Sequence, residues 1–349
     1  MSRYLSKRYT SLEAYVPGEQ PSDMKYIKLN TNESPFPPSP GVLSAICEEE
    51  VKNLRLYPNP DGIKLINKLA KLYEVKPKNI IIANGSDELL AFAFLAFFDD
   101  GVVFPDITYG FYPVYAELYG ISYRQIPLSD DLTVNISDYI GISKNIVLAN
   151  PNAPTGIVLG LDDIEKIAAG NPDHIVLIDE AYIDFGGKSA IELTHKYDNL
   201  LVIHTYSKSR SLAGARLAYA IASEAIIEDL GKMKYSFNPY NVGRLTQVLG
   251  AAALDDEAYF IEKRKEIIAV REHTEERLRE LGFTMTSSCA NFIFARHHGI
   301  SGAELYSGLK EKGILVRHWN KSRISDYVRI TVGTGEQMDI LIAAITELL

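Results

Sequence analysis

Four short segments of this chain place polar or ionisable side chains directly beside apolar runs. Asn84-Gly85-Ser86-Asp87-Glu88 ends one such run and opens a helical pattern. The first N–H groups of a helix are free and attract anions, so Ser86 and Asp87 could hold a phosphate. The plainer account is a helix cap. Asn150-Pro151-Asn152-Ala153-Pro154-Thr155-Gly156 follows a second run. Its prolines and glycine suit a surface turn, but they also make a rigid loop that holds the Asn152 side chain still. Ile178-Asp179-Glu180-Ala181-Tyr182 puts a carboxylate at the mouth of a third run. A carboxylate there is costly without a cation, unless it caps a helix. No nearby histidines supply ligand spacing, so no metal is expected. Thr205-Tyr206-Ser207-Lys208 ends a fourth run, and Arg216 stands at the start of the next. Most lysines are solvated charges; Lys208 instead follows an apolar strand, with hydroxyls on either side.

These segments need elements to position them. Ile80–Ala83, Gly101–Phe104, Asn145–Ala149, His174–Ile178, Leu200–Thr205 and Leu217–Ala222 are short continuous apolar stretches. Such stretches are expected of strands buried on both faces. Helical patterns lie between several of them, including Asp61 to Tyr73 and Ser86 to about Phe98. Alternation of this kind implies an α/β fold with a doubly wound, mostly parallel sheet. Open sheets of this class bind ligands at the C-terminal ends of their strands, where three of the four segments fall. The last third differs. A long charged helical stretch from Tyr259 to Leu281, its charges read mostly as a solvated face, precedes short strands around Asn291–Ala295, Ile314–Arg317 and Val328–Val332. That implies a smaller α+β unit. The proline-rich beginning, up to Pro38, reads as an extended arm.

Bulk properties narrow the function classes. The chain has 349 residues, 46% hydrophobic and 23% charged, with a net charge of −9. That is an ordinary globular balance with material for two domains. An acidic average disfavours nucleic acid, and an anionic substrate would need a local cluster of cations. Cys47 and Cys289 sit in no paired motif, which suits a reducing compartment. Met1 to Thr10 lacks the apolar core of a signal peptide, and no run is long enough to span a membrane. A soluble cytoplasmic protein is expected.

Taken together, the ordered set Asn152, Asp179, Lys208 and Arg216 resembles the fold-type I pyridoxal phosphate enzymes of the class I/II aminotransferase group. Within that group the sequence looks most like the histidinol-phosphate aminotransferases. Leu29-Asn30-Thr31-Asn32-Glu33-Ser34-Pro35 is like their entry motif. Tyr57-Pro58-Asn59-Pro60 is like their Tyr-Pro-x-Pro turn. Val328-Arg329-Ile330-Thr331-Val332-Gly333-Thr334, with Arg317 before it, resembles their C-terminal arginine motif. Two departures stand out: Ser209-Arg210-Ser211 replaces the common Ala-x-Gly, and Gly335 stands where a charge is common.

The resemblance implies an arm over 1–31 that packs with the small domain, a cofactor-binding domain over 32–262 and a small domain over 263–349. It implies that Lys208 forms the Schiff base with pyridoxal 5′-phosphate and shuttles protons. Asp179 would pair with the ring nitrogen, Asn152 and Tyr182 with the phenolic oxygen, and Tyr109 would stack on the ring. Ser86, Asp87, Ser207 and Arg216 would hold the cofactor phosphate, joined by Tyr57 from a neighbouring subunit of a homodimer. Arg329 and Arg317 would bind the substrate anion, with Asn152 also at the substrate, an ordinary surface ion pair being the alternative for Arg317. The implied reaction is histidinol phosphate plus 2-oxoglutarate to imidazole acetol phosphate plus glutamate. Aromatic or broad-range transamination and threonine-phosphate decarboxylation are the competing activities on the same fold. A DNA-binding regulator would call for a basic helix-turn-helix stretch, and a nicotinamide dehydrogenase for a GxGxxG; the chain has neither.

Overall fold

The apolar runs form the strands expected of them, and their burial is complete. The computed structural model describes residues 2–349; Met1, the first residue of the expected arm, lies outside them. In chain order the strands are β1 (Ile27–Lys28), β2 (Ile80–Ala83), β3 (Val102–Pro105), β4 (Tyr123–Ile126), β5 (Asn145–Ala149), β6 (Val176–Asp179), β7 (Leu200–Thr205) and β8 (Ala218–Ile221). They continue with β9 (Phe283–Met285), β10 (Phe292–His297), β11 (Ile314–Leu315), β12 (Arg317–His318) and β13 (Tyr327–Thr331).

Seven of them form one sheet in the order β2-β8-β7-β6-β5-β3-β4. All its pairings are parallel except those of β8, which runs against both neighbours. Alternate side chains feed two cores, one on each face. Ile80, Ile146, Val176 and Val202 pack with Leu65, Leu69, Ile164 and Ile167 of the helices Ile63–Leu72 and Leu161–Gly170. Ile81, Val147, Leu177 and Ile203 pack with Leu89, Phe92, Tyr112 and Leu230 on the other face. Each such aliphatic side chain, fully buried, contributes about 1.5–3 kcal/mol. β4 escaped sequence reading because its first three residues are exposed and polar, as edge strands tolerate.

A second sheet, β12-β13-β10-β9, is antiparallel throughout. Leu305, Leu341 and Ile345 of the helices Gly302–Glu311 and Gly335–Leu348 cover it, with Ile267 and Leu278 of the helix Glu257–Glu280. The expected strand Ile314–Arg317 is broken at Val316 because its halves pair with different partners. β11 runs parallel to β1 of the arm, and β12 runs antiparallel to β13. The arm is thereby tied down: Leu29 donates its N–H to Leu315, and its carbonyl accepts from Thr331. The helix Glu257–Glu280 is uninterrupted across 262/263 and is less solvated than its charges suggest. Arg271 is buried and donates to the carbonyls of Phe185 and Ala290, linking the two sheets' surroundings.

One buried pair underpins the central strands. His204 Nε2 lies 2.6 Å from Glu180 Oε2, and Glu180 also accepts from Ser189 Oγ and the Ala190 N–H. Burial pulls the His204 pKa down, but the hydrogen bond and charge of Glu180 outweigh it, and the net shift is upward. A raised histidine pKa stabilises the fold fully below the unfolded value and loses that contribution as pH rises through the folded one. Glu180→Gln leaves the imidazolium without its counter-charge, which costs about 3–5 kcal/mol for a buried pair. The gap in apparent stability between wild type and variant should be widest just below the ordinary histidine pKa and shrink as pH rises above it. Denaturant melts across that range test this; a gap independent of pH would remove the charged pair from the account.

Candidate active site

The C-terminal ends of β5, β6 and β7, the start of the helix Ser86–Phe97, the arm and β12–β13 converge on one cavity of about 480 Å³. That volume suits a small molecule with a cofactor-sized body. Lys208, Asp179, Tyr182, Tyr109, Ser86, Asp87, Ser207, Arg216, Arg317 and Arg329 all line it. Ten of the side chains singled out from sequence, scattered over more than two-thirds of the chain, therefore meet in space.

Asp179 ends the strand in the middle of the large sheet and is 5% exposed. Tyr112, fully buried, donates its hydroxyl to Asp179 Oδ2 at 3.0 Å, and the Ala181 N–H reaches Oδ1 at 3.2 Å. Burial pushes the carboxyl up to about 6; these two hydrogen bonds oppose that push without cancelling it. The position therefore favours a cationic partner, which would draw the value back down. Lys208 projects from the loop after β7. Its ammonium lies 3.4 Å from the Thr31 carbonyl and 5.6 Å from the centre of the Tyr182 ring. The Tyr182 hydroxyl accepts from Asn32 Nδ2 at 3.0 Å.

The opposite wall gathers a helix start, a guanidinium and a serine hydroxyl. The helix Ser86–Phe97 begins after Gly85, which has no side chain to cap it, so its first N–H groups are open to a ligand. The cap expected of Ser86 is not formed. Gly85 has φ +86°, and a Cβ there would lie 2.5 Å from Nη2 of Arg216. Glycine thus lets the guanidinium lie against the turn. Arg216 Nη2 is 3.4 Å from Asp87 Oδ2, and Asp87 Oδ1 accepts from the Tyr109 hydroxyl at 2.9 Å. Burial, with Asp87 beside it, holds the Tyr109 phenol well above its usual pKa and therefore protonated. Ser207 Oγ accepts from Thr205 Oγ1 at 2.9 Å.

At the far end stand Arg317 and Arg329, directly opposite each other across β12 and β13. Arg329 donates to the Asn30 carbonyl at 3.0 Å, and its Nε has no partner. Arg317 donates to the carbonyls of Pro17 and Val16 at 3.2 and 3.1 Å. Neither forms an ion pair among the described residues, which removes the surface-pair alternative for Arg317. Burial draws the Arg329 pKa down, and the Arg317 charge adds to it, against the pull of Tyr182 and Tyr15.

Two expected residues stand elsewhere. Asn152 is buried behind the wall: its Nδ2 donates to the Ile107 carbonyl and Thr155 Oγ1, and its Oδ1 accepts from Thr108. Both amide hydrogens are engaged, so Asn152 braces the wall. Tyr57 is 78% exposed and stacks on Tyr240 at 4.5 Å, away from the cavity of its own chain. The Ser209-Arg210-Ser211 departure also faces away from it. Ser209 donates to Asp184, Arg210 packs 4.1 Å over the Phe260 ring, and Ser211 bonds Ser34 at 2.8 Å. These contacts tie down the loop that carries Lys208.

Sequence reasoning missed Tyr15, Tyr112 and Trp319. Tyr15 stacks on Phe111 at 4.3 Å and closes the cavity from the arm. No periodic signal marked it. Trp319 lies two residues beyond Arg317, the spacing at which extended chain returns to the same side.

Known proteins resemble this chain along nearly its whole length. The model of the family "Aminotransferase class I and II" matches residues 24–345. A histidinol-phosphate aminotransferase of Brachyspira hyodysenteriae is 51% identical over 99% of this chain and 98% of its own. The crystal structure of histidinol-phosphate aminotransferase from Sinorhizobium meliloti in complex with pyridoxal-5′-phosphate superposes with a TM-score of 0.89, covering 99% of both chains at 24% identity. A Thermus thermophilus aspartate aminotransferase mutant superposes with a TM-score of 0.84 over all of both chains at 19% identity, so the fold alone does not select the amino donor. The match along nearly the whole chain, over a cavity in which Lys208, Asp179 and Arg216 converge, makes this protein a member of the class I and II aminotransferases.

Proposed function

We propose that this enzyme uses pyridoxal phosphate to transfer the amino group of histidinol phosphate to 2-oxoglutarate, giving imidazole acetol phosphate and glutamate. The residues present fit that cofactor. Asp179 is a buried carboxylate that calls for a cation such as a protonated ring nitrogen. The uncapped helix start, Arg216 and Ser207 form a phosphate cradle. Lys208 lines the same cavity as these two features and is the covalent anchor. When bound, the cofactor withdraws electrons from the amino-bearing carbon and holds the amino group between the two half-reactions.

The chain's own groups do the rest. Asp179 keeps the ring nitrogen protonated, and Tyr112 fixes the carboxylate's direction through its 3.0 Å bond. Tyr109 supports the ring face, and Tyr182 supplies a hydroxyl to the phenolic oxygen. Asn152 serves that oxygen only by releasing one of its present acceptors. The Lys208 amine, when not tied to the cofactor, would take the proton from the amino-bearing carbon as general base and give it back as general acid. Asp179→Asn keeps the shape and removes the charge. The variant should retain cofactor by its visible absorbance, while proton abstraction slows by roughly two or more orders of magnitude. Unchanged single-turnover rates would rule out the role given to Asp179.

The observation that carries the choice of donor is the arginine pair. Two guanidiniums face each other across one ladder, beside the cavity and without carboxylates. Like charges so placed are unfavourable and need an anion. A phosphate monoester carries close to two negative charges, and histidinol phosphate has no α-carboxylate to offer instead. Truncating a partner of such a charged contact costs about 2–5 kcal/mol. Arg329→Ala should weaken both half-reactions, because glutamate's carboxylate uses the same site. Arg317→Ala should hurt histidinol phosphate more than glutamate. A donor panel with phenylalanine, tyrosine and threonine phosphate tests this. Preference for an aromatic amino acid, with Arg317→Ala harmless, would replace the donor; release of CO2 from threonine phosphate would replace the reaction.

The reading includes a cytoplasmic homodimer, with the chain divided at 31/32 and 262/263. No described helix is long and apolar enough to cross a membrane. Tyr57 is exposed and stacks on Tyr240, and Leu54 and Leu56 just before it are exposed too. Exposed apolar side chains grouped in one stretch are expected to be covered, and a second copy would bring Tyr57 to the neighbouring cofactor phosphate. Mixed chains of Tyr57→Phe and Lys208→Ala, each impaired alone, should recover part of the activity. No recovery on subunit exchange would separate the two sites.

A further inference from the structure

We propose that Trp319, the single tryptophan of the chain, is the residue that makes Arg317 and Arg329 into one dianion site and so sets the preference for a phosphorylated donor. This rests on the reading of that site as the donor's phosphate pocket.

The geometry begins with a row across the small sheet. Phe294 of β10 stands opposite Arg329 of β13, and Arg329 stands opposite Arg317 of β12. Residues opposite each other share a face, so one aromatic ring and two cations lie side by side. Mutual repulsion should splay the two guanidiniums apart, and no carboxylate holds them. Their hydrogen bonds go instead to arm carbonyls, Asn30 for one and Val16 and Pro17 for the other. The two stretches of the arm are joined, Asn30 Nδ2 donating to the Glu19 carbonyl at 2.9 Å, but none of these carbonyls reaches both arginines.

Trp319 does. The guanidinium carbon of Arg317 lies 5.5 Å from its ring centre, and that of Arg329 lies 5.2 Å away. Tryptophan has the strongest π face among the side chains for a cation, and both distances fall within its reach. The ring is itself anchored. It meets Phe294 edge-on at 6.5 Å and packs on the cluster of Ile107, Leu128 and Ile324. It also lines the cavity. A fixed neutral platform within reach of both cations attracts each without neutralising either. A carboxylate in its place would hold them as well but would cancel the charge needed for a phosphate.

The holoenzyme tests this, because its cofactor already fills the other phosphate cradle. Wild type, Trp319→Phe and Trp319→Leu are compared with histidinol phosphate, glutamate and inorganic phosphate as a competitive inhibitor. In Trp319→Leu the KM for histidinol phosphate and the inhibition constant of phosphate should each rise about tenfold, with kcat and the glutamate KM changed much less. Trp319→Phe, with a smaller π face, should recover part of both. Inorganic phosphate should also change the tryptophan fluorescence of the wild type at the concentration that inhibits it. Wild-type phosphate affinity in Trp319→Leu, or a phenylalanine variant no better than leucine, would overturn the role of Trp319 while leaving the donor reading intact. A wild type that binds no phosphate and ignores the phosphorylated donor would overturn both.

Discussion

Taking the Asp179 carboxylate out of water costs several kcal/mol unless a cation and hydrogen bonds compensate. Tyr112 and the Ala181 N–H supply the hydrogen bonds, yet the carboxyl is still pushed up to about 6. The strand that ends in Asp179 lies mid-sheet, between β5 and β7, and those neighbours deliver the other groups. β7 leads into Lys208, and β5 into the loop whose Asn152 braces the wall. β8, the one antiparallel strand, begins just after Arg216 and brings it back against the Gly85 turn. A parallel sheet concentrates strand ends on one edge. Here that edge holds an acid, an amine and an anion cradle at mutually fixed positions.

Much of this was legible because burial on both faces leaves a plain record. Strands β2, β5, β6 and β7 are almost wholly apolar, and the reactive segments begin where the apolar runs stop. β4 left no such record, since an edge strand with exposed Tyr123, Arg124 and Gln125 satisfies no pattern of burial. The break at Val316 was hidden too, because pairing partners are a tertiary property. Asn152 shows a subtler limit. A rigid loop around it was readable, but not the acceptors toward which its amide turns.

Tyr15 and Trp319 mark the boundary of sequence reading more sharply. Each lies outside any periodic element, and each reaches the cavity only because the arm and the small sheet close over the strand ends. The arm is held by β1 pairing with β11 and by Leu29 bridging Leu315 and Thr331. Those bonds carry no sequence signature, since any backbone can make them. Yet they place Asn30, Thr31 and Asn32 against Arg329, Lys208 and Tyr182.

That placement has an electrostatic consequence. Lys208, Arg317 and Arg329 are each met by backbone carbonyls of the arm. A carbonyl satisfies a donor while adding no net charge, so the hydrogen bonds of these three side chains bring them no opposite charge. In a chain of net charge −9, long-range attraction works against an anionic substrate. The field that draws it in must therefore be local and left unneutralised. Carboxylates at these positions would stabilise the empty protein more and bind an anion less. Asp87 shows the other arrangement: its carboxylate sits beside Arg216 and Tyr109 at 3.4 and 2.9 Å, at the helix start. Charge is balanced at the cradle and withheld at the arginine end. On the proposed reading, the two ends of one cavity would hold two phosphates of different owners, one kept through the whole reaction and one that leaves with the phosphorylated keto product.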